Sequence, residues 1–152
     1  MTAEYKELTV ENIADVMVLG LAMHEEALPK KYPVDIEYAA QKCYDSVILS
    51  EYGYGAIAMD GDEPVGMIMG QLAYYDWAPI LFSYNLVWYV KPERRGSMTA
   101  FRLLRMFERW SKDRGAAHTA VGLASGVLTK KTGKALSRTG YRHMGGNFIK
   151  EL

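Results

Sequence analysis

Between Tyr89 and Trp110 the chain reads YVKPERRGSMTAFRLLRMFERW: an apolar run, then Arg94, Arg95 and Gly96, then a helical pattern. A strand turning tightly into a helix brings the unpartnered N–H groups of the first helical turn, and the positive end of the helix dipole, to one place. These residue types in this order describe a receptor for a phosphate-like anion, with glycine allowing close approach of the backbone. A second cluster, His24, Glu25 and Glu26, offers a base or an attraction for a cation. The single cysteine, Cys43, cannot form an internal disulfide, and its apolar neighbours describe a small buried side chain, as expected in a reducing, cytoplasmic setting.

The elements that must carry these groups follow from periodicity. Ile13, Val16, Met17, Leu19 and Met23 recur at helical spacing after a start at Thr9 to Asn12, giving a helix to about Ala27. A second helix opens at Val34-Asp35 and runs to about Leu49, with Ile36, Ala39, Ala40, Cys43, Val47 and Ile48 facing inward. Three apolar runs follow, the first two joined by an Asp-Gly turn in DGDE and the last two by DWAP, and they read as antiparallel strands. From Thr99 the residues Leu103, Leu104, Phe107 and Trp110 form one helix face, opposite Arg102, Arg105, Arg109 and Lys112, until Gly115. HTAVGLA (118–124) reads as a strand, LTKKTGKALSR (128–138) as a helix, and YRHMGGNFIKEL (141–152) as a terminal hairpin. The expected fold is a single α+β domain over residues 1–152, one mostly antiparallel sheet with helices on both faces, in the order (β)ααβββαβαββ.

Composition limits the partners. With 152 residues and 49% of them apolar, the chain can bury one core. The N-terminus mixes charged and apolar residues, which is neither a signal peptide nor a membrane span. No metal site is expected. Net charge is zero, yet residues 1–63 hold 4 basic and 13 acidic side chains while residues 64–152 hold 14 and 5, so one half suits a cation and the other an anion. The arginine stripe of 102, 105, 109 and 112 is the solvated face of its helix; a nucleic-acid surface on the basic helix 99–114 is the sharper and weaker alternative.

The turn and the element order together resemble the GNAT superfamily of N-acetyltransferases. The family signature is a strand ending in Val-x-Pro, two spacers, then Arg-Gly-x-Gly-x-Gly or Ala opening a helix; Val90, Pro92, Arg95, Gly96 and Ala100 stand in register with it. Met98 replaces the second glycine, and its side chain is tolerated if it points away from the phosphates, because the bonding groups are backbone N–H. The C-terminal Gly140-Tyr141 matches the family's Gly-Phe, while Leu136 stands where a tyrosine often protonates the leaving thiolate.

The resemblance implies acetyl-CoA as co-substrate and a small-molecule or peptide amine as acceptor, by direct attack. It places the pyrophosphate on Arg94, Arg95, Gly96, Ser97, Met98, Thr99 and Ala100, with Lys130, Lys131 and Lys134 toward the nucleotide. The pantetheine slot falls along Leu86 to Val90, lined by Trp88, Tyr89 and Val90. Deprotonation of the amine is left to His24, Glu25 or Glu26, with Tyr84 and Asn85 positioning the amine or a water, and Tyr141 or Tyr89 standing in as the acid. Residues of the acidic half, including the KKYPVD loop (30–35), are expected around the acceptor mouth, hence a cationic amine. Homodimers are frequent in the family. A fold relative that binds CoA without turnover is the principal alternative.

Overall fold

The computed structural model describes residues 2–27, 32–123 and 129–152. The chain runs β1 (Glu4–Glu7), α1 (Ile13–Glu26), α2 (Ile36–Cys43), β2 (Gly53–Asp60), β3 (Glu63–Tyr75), β4 (Ala78–Val90), α3 (Thr99–Asp113), β5 (Thr119–Ala120) and α4 (Thr129–Arg138). The strands form one sheet in the order β1-β2-β3-β4-β5, antiparallel throughout except for the parallel pair β4 and β5. No helix among the described residues is long and apolar enough to cross a membrane.

Each helix start has a local cause. Ahead of α1, the Thr9 N–H donates to Asn12 Oδ1 at 2.8 Å, and at α2 the side chain of Asp35 accepts from the Tyr38 N–H at 3.0 Å. α2 continues into a single π-helical turn, Tyr44–Ile48, so the second helical run reaches Leu49 as the periodicity predicts. Ile36 departs from the prediction: as the first residue of α2 it is 46% exposed, while Cys43 at the other end of the helix is buried.

Strands β2 and β3 are buried on both faces, and alternation sorts their side chains into two cores. On one face Tyr54, Ala56, Ala58 and Ile68 meet Leu103, Leu104 and Phe107 of α3 and Leu136 of α4. On the other, Ile57, Met59 and Met67 meet Val16 and Leu19 of α1 and Cys43 and Val47 of the second helical run. The helix α3 lies close to the sheet at Gly70, where an added Cβ would run into the Phe107 ring.

The terminal hairpin expected over 141–152 is not formed: the segment carries no strand, and Met144, Phe148, Ile149 and Leu152 are exposed. The strand β5 is only two residues long, so the sheet edge gives no ladder on which further strands could pair, and an isolated hairpin with two glycines at its turn is marginal in water.

Candidate active site

The register of β3 and β4 slips between Met69 and Gly70: Met69 pairs with Val87 and Gly70 with Asn85, which leaves Leu86 as an extra residue in β4. This bulge exchanges the faces of the strand. Before it, Ser83 faces α3, its hydroxyl accepting from Ser111 at 2.7 Å. After it, Trp88 and Val90 face α3 and Tyr89 faces α1. Without the extra residue, Trp88 and Tyr89 would change places.

At the same point β4 parts from β5. Their pairing covers Ser83 with Thr119 and Tyr84 with Ala120, and the Asn85 side chain then spans the widening gap, accepting from the Gly122 N–H at 2.7 Å and donating to the Gly122 carbonyl at 3.2 Å. Among the described residues, the outer backbone edge of β4 from Leu86 to Val90 has no ladder partner. The parted edge, about 13 Å long at ~3.3 Å per residue over four residues, forms one side of a cleft that ends at the turn before α3.

In that turn a 3-10 segment, Pro92–Arg94, leads into Gly96 at φ 85°, a conformation that favours glycine, with nothing within 4 Å of where a Cβ would stand. The Ser97 hydroxyl donates to the Arg94 carbonyl at 2.6 Å and accepts from the Thr99 N–H at 3.3 Å, fixing the turn against the helix. The first helical bond of α3 runs from the Arg102 N–H to the Met98 carbonyl, so the N–H groups ahead of it have no acceptor within the helix. Trp88 holds the first turn of α3 to β4, its Nε1 donating to the Ala100 carbonyl at 3.0 Å. Met98 is 53% exposed. An open, positive-φ glycine beside the first-turn N–H groups of a helix fits a pyrophosphate.

The arginines do not serve this turn as expected. Arg94 is paired with Asp60 at 2.6 Å. Arg95 turns toward α1, where its guanidinium bonds both carboxylate oxygens of Glu26 at 2.8 Å while its Nε donates to the Val90 carbonyl at 3.0 Å. The Tyr89 hydroxyl also donates to Glu26, at 2.7 Å. Burial, then this bond to a carboxylate, pushes the Tyr89 phenol well above its ordinary range. Lys91 joins Glu63 at 2.7 Å. Basic side chains of the turn are therefore neutralised by acids of the N-terminal half, which corrects the expectation that the basic half stands free for an anion. Lysines 130, 131 and 134 are exposed on α4.

Between α1, α2 and the strands β3 and β4 lies a cavity of about 380 Å³. Its wall includes Met17, Met23, Met67, Met69, Cys43 and the bulge residue Leu86, so the cavity adjoins the point where β4 and β5 part. His24 lines it; Glu25 is exposed and outside the lining, and Glu26 is committed to Arg95 and Tyr89. The expected acidic surround of this space is thus corrected. Of the KKYPVD loop, Lys30 and Lys31 lie outside the described residues. Burial pushes the Cys43 thiol up, and it donates to Met69 Sδ at 3.6 Å, so it stays a thiol rather than a nucleophile.

Tyr84 and Asn85 sit where the cleft opens, but both side chains are engaged, Tyr84 donating to Gln71 Oε1 at 2.9 Å and Asn85 bridging to Gly122. Tyr141 packs behind α3 with its hydroxyl donating to Glu108 at 2.6 Å; burial and that carboxylate push its phenol far up. It is held as a donor to α3, which corrects its assignment as a stand-in acid. Sequence reasoning missed the Glu26–Arg95–Tyr89 contact, the partner of Arg94 and the methionine cavity. The only advance signal was the density of methionines near residues 17–23 and 67–69.

No family model and no curated protein matches the sequence. Solved structures match along the whole chain. The aminoglycoside N-acetyltransferase AAC(6')-Iy, in complex with the bisubstrate analogue CoA-S-monomethyl-acetylneamine, is 14% identical, with 100% of this chain and 99% of that chain covered and a TM-score of 0.74. Ribosomal-protein-alanine N-acetyltransferase from Brucella melitensis biovar Abortus 2308 is 13% identical, with both chains covered to 100% and a TM-score of 0.73. An aminoglycoside acetyltransferase from an uncultured soil metagenomic sample, in complex with sisomicin, is 12% identical, covers 99% and 96%, and has a TM-score of 0.72. The chain, with its bulged fourth strand, diverging fifth strand and glycine turn ahead of α3, has the fold of the GNAT acetyltransferases.

Proposed function

We propose that the protein is an acyl-CoA-dependent N-acetyltransferase that moves an acetyl group from acetyl-CoA directly to a primary amine. The observation that carries this reading is the order of three features along one stretch of chain: the cavity lined by Leu86 at the bulge, the unpaired edge of β4 from Leu86 to Val90, and the open Gly96 turn before α3. The backbone N–H groups at the start of α3 would receive the pyrophosphate. The pantetheine arm would lie along β4 with the thioester at the bulge, where an N–H of the displaced backbone can bond the carbonyl oxygen as it gains charge.

In the reaction the amine lone pair attacks the thioester carbon, the C–S bond breaks, and the sulfur leaves as the CoA thiolate while the amine gives up one proton. Among the described residues, Lys42 and His24 are the charged or basic side chains lining the cavity, and an imidazole is the one of the two kinds that accepts protons near neutrality. His24 therefore takes the proton. A CoA thiol resembles cysteine and titrates near about 8.5, so water can protonate the thiolate without a side-chain acid. Leu136, buried against α3 at the tyrosine position of the family signature, is consistent with that. It equally suits a fold relative that binds CoA without turnover.

The experiment is to incubate the protein with acetyl-CoA and a panel of primary amines, following thiol release and the mass of the amine. Stoichiometric thiol release with an acetylated amine is expected. Acetyl-CoA binding without thiol release for every amine would leave only the CoA-binding reading.

A further inference from the structure

The cavity between α1 and α2 gathers four of the nine methionines of the chain, with Val16, Val47, Val87 and Leu86 among its other walls. Among the described residues no carboxylate lines it. The acid at its border, Glu26, already accepts from Arg95 and Tyr89. Among the described residues the charged side chain in the lining is Lys42, which is exposed, with its Nζ 5.7 Å from the centre of the exposed Tyr38 ring.

We infer that the acceptor is a primary amine carried on one apolar, preferably aromatic, body, and that polycationic amines are excluded; this rests on the transfer reading above. Four physical arguments agree. An apolar body buried against this wall gains about 25 cal/mol per Å² of surface removed from water. A second ammonium in the same space would lose hydration with no carboxylate in the described lining to compensate it. Methionine is unbranched and polarisable, so its thioethers fit irregular apolar shapes and make favourable contacts with ring edges. A volume of about 380 Å³ lies at the lower end of the range for small-molecule sites, suited to a ring on a short tether rather than to several linked sugars. The selected substrate thus has its amine at the Leu86 end and its apolar body among the methionines.

Two measurements test this. The first needs no acetyl-CoA: 2-phenylethylamine should raise the melting point of the protein while spermidine should not. The second is turnover, where kcat/KM for 2-phenylethylamine should exceed that for spermidine or kanamycin by at least about tenfold. Ile36 lines the cavity yet is 46% exposed, so Ile36→Glu should fold; it should lower the first value and raise the spermidine value. Met17→Ala should lower activity toward 2-phenylethylamine without helping spermidine. A raised melting point with 2-phenylethylamine but no acetyl transfer supports the ligand class and counts against the transfer reading alone. No rise in melting point with 2-phenylethylamine, or a preference for the polycations in turnover, overturns the inference even if acetyl transfer is observed.

Discussion

Glu26 receives three hydrogen bonds from two side chains that follow it by more than sixty residues, Tyr89 and Arg95. Its contact ties the C-terminal end of α1 to the turn that precedes α3, so the cavity wall and the cofactor turn share one fastening. Replacing it leaves a guanidinium and a phenol without their acceptor in a region about three-quarters buried. Glu26→Ala should therefore cost about 2 kcal/mol, after discounting for the solvent that reaches the pair. Thermal denaturation should show the melting point falling by about 4–8 °C; a change within error would mean that the contact is not formed in solution. The sequence made Glu26 visible as a candidate but not its role, because nothing local in His24-Glu25-Glu26 encodes a partner 69 residues away. The same limit hid the pairing of Arg94 with Asp60.

At the scale of elements, α3 is positioned by Trp88, whose indole reaches the Ala100 carbonyl only because the bulge at Leu86 turns it to that face. Trp88→Phe keeps the ring and removes the donor. It should cost about 1 kcal/mol of stability, which calorimetry would record as a fall of about 2–4 °C, together with weaker acetyl-CoA binding as the first turn of α3 loosens. Unchanged acetyl-CoA affinity would show that the indole bond does not set the turn. Helices α1 and α3 and strands β2 to β4 were legible in the sequence because long amphipathic or apolar periods specify them. The bulge was not legible, since an extra residue in an apolar run leaves no mark in composition. The C-terminal hairpin misled for the opposite reason: its local signals are good, but a hairpin also needs an edge, and β5 supplies two residues.

At the scale of the whole molecule, the division of charge along the chain serves association of its two halves, through Lys91 with Glu63, Arg94 with Asp60 and Arg95 with Glu26. Three tyrosines tie stability to alkaline pH. Burial, then the Glu7 carboxylate, pushes the Tyr54 phenol up to about 12; Tyr89 and Tyr141 are raised by burial and by bonds to Glu26 and Glu108. In each case the fold keeps the neutral phenol. The stabilisation is complete below the unfolded value near about 10 and is lost as the pH rises through it, where the unfolded chain ionises first. For Tyr54 the limit is about 3 kcal/mol, reached near pH 12. Melting points taken from pH 7 to 11 should hold steady and then fall. Tyr54→Phe, which keeps the ring stacked on Trp110 at 5.1 Å, should fall less steeply; an identical alkaline limb would contradict the assignment.

The reading of the molecule as an acetyltransferase depends on the Gly96 turn receiving the pyrophosphate. Calorimetric titration of acetyl-CoA into the native chain and into Gly96→Glu tests it most directly, with far-UV circular dichroism and the melting point as controls for the fold. The substituted side chain meets open space within the protein, so it intrudes on the ligand, at the cost of about 1–2 kcal/mol of backbone strain at positive φ. Binding one-to-one to the native chain, and its loss in the folded variant, is the expected result. Equal affinity in the two proteins, or no binding to the native chain, would contradict the account.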